Sequence, residues 1–316
     1  MVRGVGEKNL RTIQIPYFIP FVALALIAPY YLPPYYLYIA IISLYYSILA
    51  SSWNLLAGYT GQISFAHAAL SSIGAYTSAL LVINLGIPTL GGIVMGGLSS
   101  FVVGYLLGKV CLRLRGPYLA LTTISFSEIF RIIVTIEYEY TRGSLGLNVP
   151  PLFEARDFIT YYFVFLGLFT VIMSIKYLML RSRIGLFLRS IREDEEASNG
   201  MGVDTVKWKQ FAFAVSGLFA GLAGSFLAHF ILVVSPEMGR LGEMALIISM
   251  TVIGGMGTFW GPVIGAFIVE FASELLRDVG RLQLVVFGAL ILVIIRYFRE
   301  GIWGYIDRIF RGRLHV

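Results

Sequence analysis

Residues 181–209, RSRIGLFLRSIREDEEASNGMGVDTVKWK, form a densely charged island between two apolar runs, 159–180 and 210–234. Crossing a bilayer core of roughly 30 Å takes about 20 residues of apolar helix, and both runs are long enough. A short amphipathic charged segment placed between two spans is presented to something in the cytosol. Outward from the island the rest of the chain is equally apolar. Its 316 residues are 58% hydrophobic and 13% charged, with a mean hydropathy of +0.81, whereas soluble domains carry about 25% charged residues. In lipid every backbone N–H and C=O must be paired inside the protein, which leaves helices or a closed barrel. The apolar runs are continuous rather than alternating, so the barrel is excluded. The expected fold is an all-α polytopic membrane protein forming one integral domain over 1–316, with about ten transmembrane or half-membrane helices.

The expected segments are 16–32, 35–57, 63–84, 88–111, 118–136, 159–180, 210–234, 243–256, 260–276 and 281–297, the pair within 243–276 being open to a broken or re-entrant arrangement. The first follows a basic N-terminus but is long, contains proline and lacks a small-residue cleavage site, so it reads as a retained span. Lys and Arg in short loops set orientation. Seventeen of the 24 fall in four regions, 1–15, 109–117, 181–209 and 296–316. An even number of spans separates each from the next, so all four face one side, with cytosolic N- and C-termini, a cytosolic loop at 181–209 and a basic tail at 298–316. The net charge of +6 is thus a topology signal and points to no nucleic-acid partner. Glycine pairs at small-xxx-small spacing (Gly104–Gly108, Gly217–Gly221, Ala220–Gly224, Gly261–Gly265) predict close helix contacts, because in lipid association relies on backbones that approach one another.

Catalytic chemistry is not visible. One cysteine, Cys111, allows no internal disulfide, and the three histidines show no metal-ligand spacing. No phosphate-binding G-x-x-x-x-G-K-[ST] loop, H-E-x-x-H or G-x-S-x-G occurs, so no cofactor, metal or catalytic residue is expected. A membrane-embedded enzyme would need a nucleophile and base that are not found.

Four segments carry the functional candidates. In 58–81, Gly58 and Gly61 are expected to break the backbone before a span, and Ser64, His67, Ser71, Ser72 and Tyr76 place polar groups at depth. Such groups line a wet cavity or bond helix to helix; both uses fit. In 112–134, Gly116-Pro117 suits a helix start. Glu128 and Arg131 share a face and suit a self-neutralising pair or, with His67, a proton-coupled carrier. Thr122, Thr123, Ser125 and Ser127 make this helix a candidate wall of a polar path. In the island, Leu186 to Asn199 reads as one helix ended by Gly200, with Arg189–Glu193 and Arg192–Glu196 as i,i+4 pairs and Ile184, Leu188 and Ile191 on the face to be buried. Its mixed charge favours a protein partner over a lipid surface. In 252–270, Gly254, Gly255, Gly257 and Gly261 with Pro262 break two apolar runs, and Trp260 suits a membrane interface.

Five ordered motifs resemble the M-type permeases of branched-chain amino-acid ABC importers: GYTGQISFAHAALSSIGAY, LRLRGPYLALTTISFSEIFR, RSRIGLFLRSIREDEEASNGMGVD, FAFAVSGLFAGLAGSFLA and VIGGMGTFWGPVIGAF. They run from about Trp53 to Leu276. The first departs in having Phe65 where glycine is common in the family. The resemblance implies a multi-pass prokaryotic cell-membrane subunit. Its implied partners are a second related permease, two cytosolic ATP-binding subunits, an extracytoplasmic solute-binding protein and membrane lipid. It makes the island an ATPase-coupling helix, with Leu188, Arg189, Ile191, Arg192, Glu193, Asp194, Glu195, Ala197, Met201 and Gly202 at the contact. The implied cargo is leucine, isoleucine or valine, with urea, short amides or other amino acids as alternatives. Ser64, His67, Tyr76, Ser125, Glu128, Gly254, Gly255 and Gly257 are the candidate translocation path.

Overall fold

A computed structural model describes residues 25–111, 114, 116–153, 157–276 and 301–305. The expected span 281–297, residues 16–24 of the first span, the 1–15 tail and most of 298–316 lie outside the described residues. Helices run in the order α1 (Pro34–Thr60), α2 (His67–Leu85), α3 (Thr89–Cys111), α4 (Pro117–Ile136), α5 (Tyr138–Thr141) and α6 (Phe158–Arg181). There follow α7 (Arg183–Glu193), α8 (Glu195–Gly200), α9 (Thr205–Ile231), α10 (Leu241–Gly254) and α11 (Gly261–Leu275). Among the described residues six helices, α1 to α4, α6 and α9, are long and apolar enough to cross a membrane. With 14 and 15 residues, α10 and α11 are shorter. At 1.5 Å per residue they reach only about 21 and 22 Å, so the two segments expected there are a short helical hairpin rather than full spans.

The core is built around α1. Its sequence is apolar on every side, which in a helix means burial all round, and from Leu37 to Thr60 only Tyr38 and Tyr46 are not buried. Proline opens it at Pro34, and Gly61 closes it at φ 73° with its N–H donating to Leu56 O, a conformation that glycine adopts without a Cβ penalty. The helix therefore runs straight through Gly58, which does not break it; what Gly58 supplies is room, since a Cβ there would lie 2.7 Å from Gly257 N. Helices α6, α9, α10 and α11 pack on α1.

A second layer joins α2, α3 and α9 through the predicted small residues. A Cβ on Gly74 of α2 would fall 2.5 Å from Gly221 Cα of α9, and one on Gly104 of α3 would fall 2.7 Å from Phe213 O of α9. Gly217 and Gly221 face Ser100 of α3, Gly224 faces Ser71 of α2, and Gly108 faces Gln210 of α9. Gly261 and Gly265 likewise seat α11 on Gly254 and Met250 of α10. The outer side of α3 exposes Val94, Leu98, Val102, Leu106 and Val110 in one stripe, and α4 exposes Leu121, Ile129, Ile132, Ile133 and Ile136.

The turns at 61–66 and 255–260 and the segment from 181 to 205 share one end of the bundle, the island end. At the far end the fold adds an element the helical reading did not include. Residues Leu147–Asn148 (β1) and Val233–Val234 (β2) form a two-residue antiparallel ribbon, Leu147 opposite Val234. His229 pins it: Nε2 is 2.8 Å from Ser78 Oγ of α2 and Nδ1 is 2.8 Å from Pro150 O. Asp157 caps α6, accepting from Ile159 N and Thr160 N. The Thr160 hydroxyl, followed by the Ile159 N–H, holds its carboxyl below the usual carboxylate range.

Candidate functional site: the island end of the bundle

The island is an elbow that continues α6. Ser182 caps α7 by accepting from Ile184 N, and Gly185 lets α7 fold back on α6, since a Cβ there would lie 2.7 Å from Leu180 Cα. Arg189 Nη2 donates to Leu180 O at 2.9 Å and holds the bend. Leu188 and Ile191 are buried and Ile184 half-buried, so the expected apolar face is the one that packs.

One expected helix over 186–199 is instead two. Asp194 takes extended backbone and its carboxylate accepts from Glu196 N and Ala197 N at 2.9 Å, ending α7 and starting α8. A short acidic side chain satisfies two helix-start N–H groups that a continuous helix would bond internally, and the sequence offers it there. The two expected i,i+4 arrangements are also replaced: Arg189 turns to Leu180 O, and Arg192 Nη1 donates to Gly58 O at 2.5 Å. A backbone carbonyl at a helix end lacks an intrahelical partner and takes a guanidinium donor readily. Glu195 pairs with Lys209 of α9 at 2.5 Å, closing the 200–204 loop. Glu193, Asp194, Ala197, Met201 and Gly202 face outward, Met201 being 85% exposed.

Behind the elbow, Asn54 of α1 clamps the 255–260 turn. Its Nδ2 donates to Thr258 O at 2.7 Å, and its Oδ1 accepts from Gly257 N at 2.7 Å. Lys176 of α6, fully buried, lies 5.3 Å from the Phe259 ring and 6.0 Å from the Tyr59 ring, with no hydrogen-bond partner among the described residues. Asn54 and Lys176 escaped the sequence reading. The available signal was each one's isolation, a lone amide in 35–57 and a lone cation in 159–180. Trp260, expected at a membrane interface, is 3% exposed and packs on Phe259 at 5.3 Å between ring centres, because the turn folds inward under Asn54.

The path candidates fall in three places. Ser64 and His67 are wholly buried, and Tyr76 is buried along α2 toward the far end. The 61–66 segment is held by Trp53 Nε1 on Ser64 O at 2.7 Å, by Phe65 N on Thr123 Oγ1 at 2.9 Å and by Ser127 Oγ on Phe65 O at 2.9 Å. Thr123 and Ser127 therefore bond α4 to that segment, while Ser125 faces outward. Glu128 is paired with Arg131 through both Nε and Nη2, the self-neutralising arrangement. Gly254 and Gly255 are buried against α11, and Gly257 lies under Arg192 and Asn54. A far-end cavity of about 190 Å³ is lined by Tyr38, Phe158, Tyr161, Phe230, Ile231 and Leu232, none of them charged.

Residues 35–295 match the family described as branched-chain amino acid transport system / permease component. The chain belongs to this family. Among other relatives, this permease-family chain is 31% identical to the high-affinity branched-chain amino acid transport system permease protein LivM of Escherichia coli (strain K12), over 84% of this chain and 69% of the relative. It is 30% identical to LivM of Salmonella typhimurium over the same shares. To the permease protein LivH of Escherichia coli (strain K12) it is 25% identical, over 82% of this chain and 91% of the relative. No solved structure matches it. The family and the six apolar spans make this permease a multi-pass membrane protein.

Proposed function

We propose that this chain is the membrane-spanning permease subunit of an ATP-driven, binding-protein-dependent importer of leucine, isoleucine and valine, working by alternating access. It pairs with a second, related permease. Two cytosolic ATP-binding subunits dock on the island, and an extracytoplasmic solute-binding protein delivers cargo to the far end. A layout of about ten transmembrane or half-membrane helices with cytosolic termini belongs to this reading, as does the absence of catalysis on this chain.

The observation that carries it is the island within a chain of this family: a capped elbow, rigid on its inner side and polar on its outer one. Glu193, Asp194, Ala197, Met201 and Gly202 offer a partner groove both charge and an apolar tip, while the buried Leu188 and Ile191 fasten them to the bundle. The Glu128–Arg131 pair favours this over a proton-coupled carrier, because a carboxylate held by its own guanidinium is poorly placed to exchange protons. In proteoliposomes the complete set of subunits should accumulate leucine only with ATP and binding protein. Accumulation by this chain alone on a pH gradient would overturn the reading.

A further inference from the structure

Three elements meet beneath the island through one guanidinium and one amide. Arg192 of α7 reaches Gly58 O at the end of α1 at 2.5 Å. Asn54, one turn earlier on α1, holds the 255–260 turn through Gly257 N and Thr258 O, both at 2.7 Å. Glycine is favoured on both sides of this junction. Gly257 takes φ 81°, a conformation free of penalty only without a Cβ, and a Cβ on Gly58 would lie 2.7 Å from Gly257 N. From below, Lys176 and Tyr177 of α6 press on Phe259 of the same turn, with ring centres of Tyr177 and Phe259 5.8 Å apart.

We propose that Arg192 is a positioning residue that carries displacement of the island into α1 and the α10–α11 hairpin. The claim rests on the proposed importer function and deepens it. Arg189 and Gly185 make α6 and α7 one stiff elbow, so a push on the outer face of α7 moves its last turn as a unit. That turn is bonded to the end of α1, the most buried of the described spans, and α1 in turn holds the 255–260 turn between α10 and α11 through Asn54. The other exposed residues of the island hold the ATP-binding subunits; Arg192, itself exposed along its stem, turns its guanidinium back to Gly58 O and transmits.

The test uses the full importer in proteoliposomes with Arg192→Gln, Arg192→Lys and, from the opposite side of the junction, Gly257→Ala. Three quantities are read: retention of the ATP-binding subunits on affinity purification, ATP hydrolysed, and leucine taken up. Arg192→Gln should retain the subunits yet take up about tenfold less leucine per ATP, as expected when a charge-assisted bond in the transmission is lost. Arg192→Lys, which keeps one charged donor, should recover part of that ratio, and Gly257→Ala should lower it with Arg192 intact. The proposal is overturned if Arg192→Gln keeps the wild-type ratio. It is equally overturned if uptake falls only in step with loss of the subunits, which would make Arg192 a docking or purely structural residue. A wild-type complex without ATP-dependent uptake would instead strike the proposed function itself.

Discussion

Replacing Lys176 by methionine should make the protein more stable. The ammonium is 0% exposed and has no hydrogen-bond or carboxylate partner among the described residues. Removing such a group from water costs several kcal/mol even after relaxation. The compensation visible is the faces of Phe259 at 5.3 Å and Tyr59 at 6.0 Å, and a desolvated cation over a ring returns about 2 kcal/mol. The balance leaves roughly 2 kcal/mol unfavourable. Methionine has the same unbranched reach, and its thioether suits aromatic neighbours, so Lys176→Met should recover that sum. At about 2–4 °C per kcal/mol for a large domain, Tm should rise by about 4–8 °C. Thermal unfolding of the purified chain in one detergent, followed by tryptophan fluorescence, measures it. A lower Tm for Lys176→Met would refute the reasoning, since it would mean that the ammonium is held by a favourable partner such as an ordered internal water. A more stable variant that transports poorly would show a charge kept for the cycle at the expense of the fold.

Two further outcomes follow from packing and capping. Gly74→Ala places a Cβ 2.5 Å from Gly221 Cα, and because backbone on both sides cannot yield, it should cost about 3 kcal/mol, read as a lowered Tm in detergent. Asp194→Ala removes the acceptor of Glu196 N and Ala197 N. It should cost about 1 kcal/mol and speed hydrogen exchange across 195–200 while leaving 183–193 protected.

The features legible in the sequence were those set by local chemistry or by period. Gly116-Pro117 starts α4 where proline fits a first turn. The glycine pairs of α3 and α9 are the contacts of that layer because only small residues let backbones touch in lipid. Leu188 and Ile191 turn inward because a helical apolar stripe has one place to go. What was hidden depends on partners distant in sequence. Arg192 was expected to bond four residues away, but it bonds Gly58, 134 residues away. Gly58 looked like a helix breaker because nothing near it in sequence reveals the 255–260 turn lying against it. Trp260 followed the interfacial preference of indole until the Asn54 clamp drew its turn inward. Asp194 lay between the two kinds: its capping chemistry was in plain view, but four consecutive acids in a charged run hid which one would take it.

The shortness of the α10–α11 hairpin has a consequence for its motion. Its helices are about 22 Å long at most, about 8 Å less than a roughly 30 Å hydrocarbon slab. It is tied to α1 at both ends, by Asn54 at the 255–260 turn and by the Tyr35 hydroxyl donating to the Glu274 carboxylate. A hairpin fastened at both ends to one helix follows that helix, so a tilt of α1 carries it along instead of sliding past it.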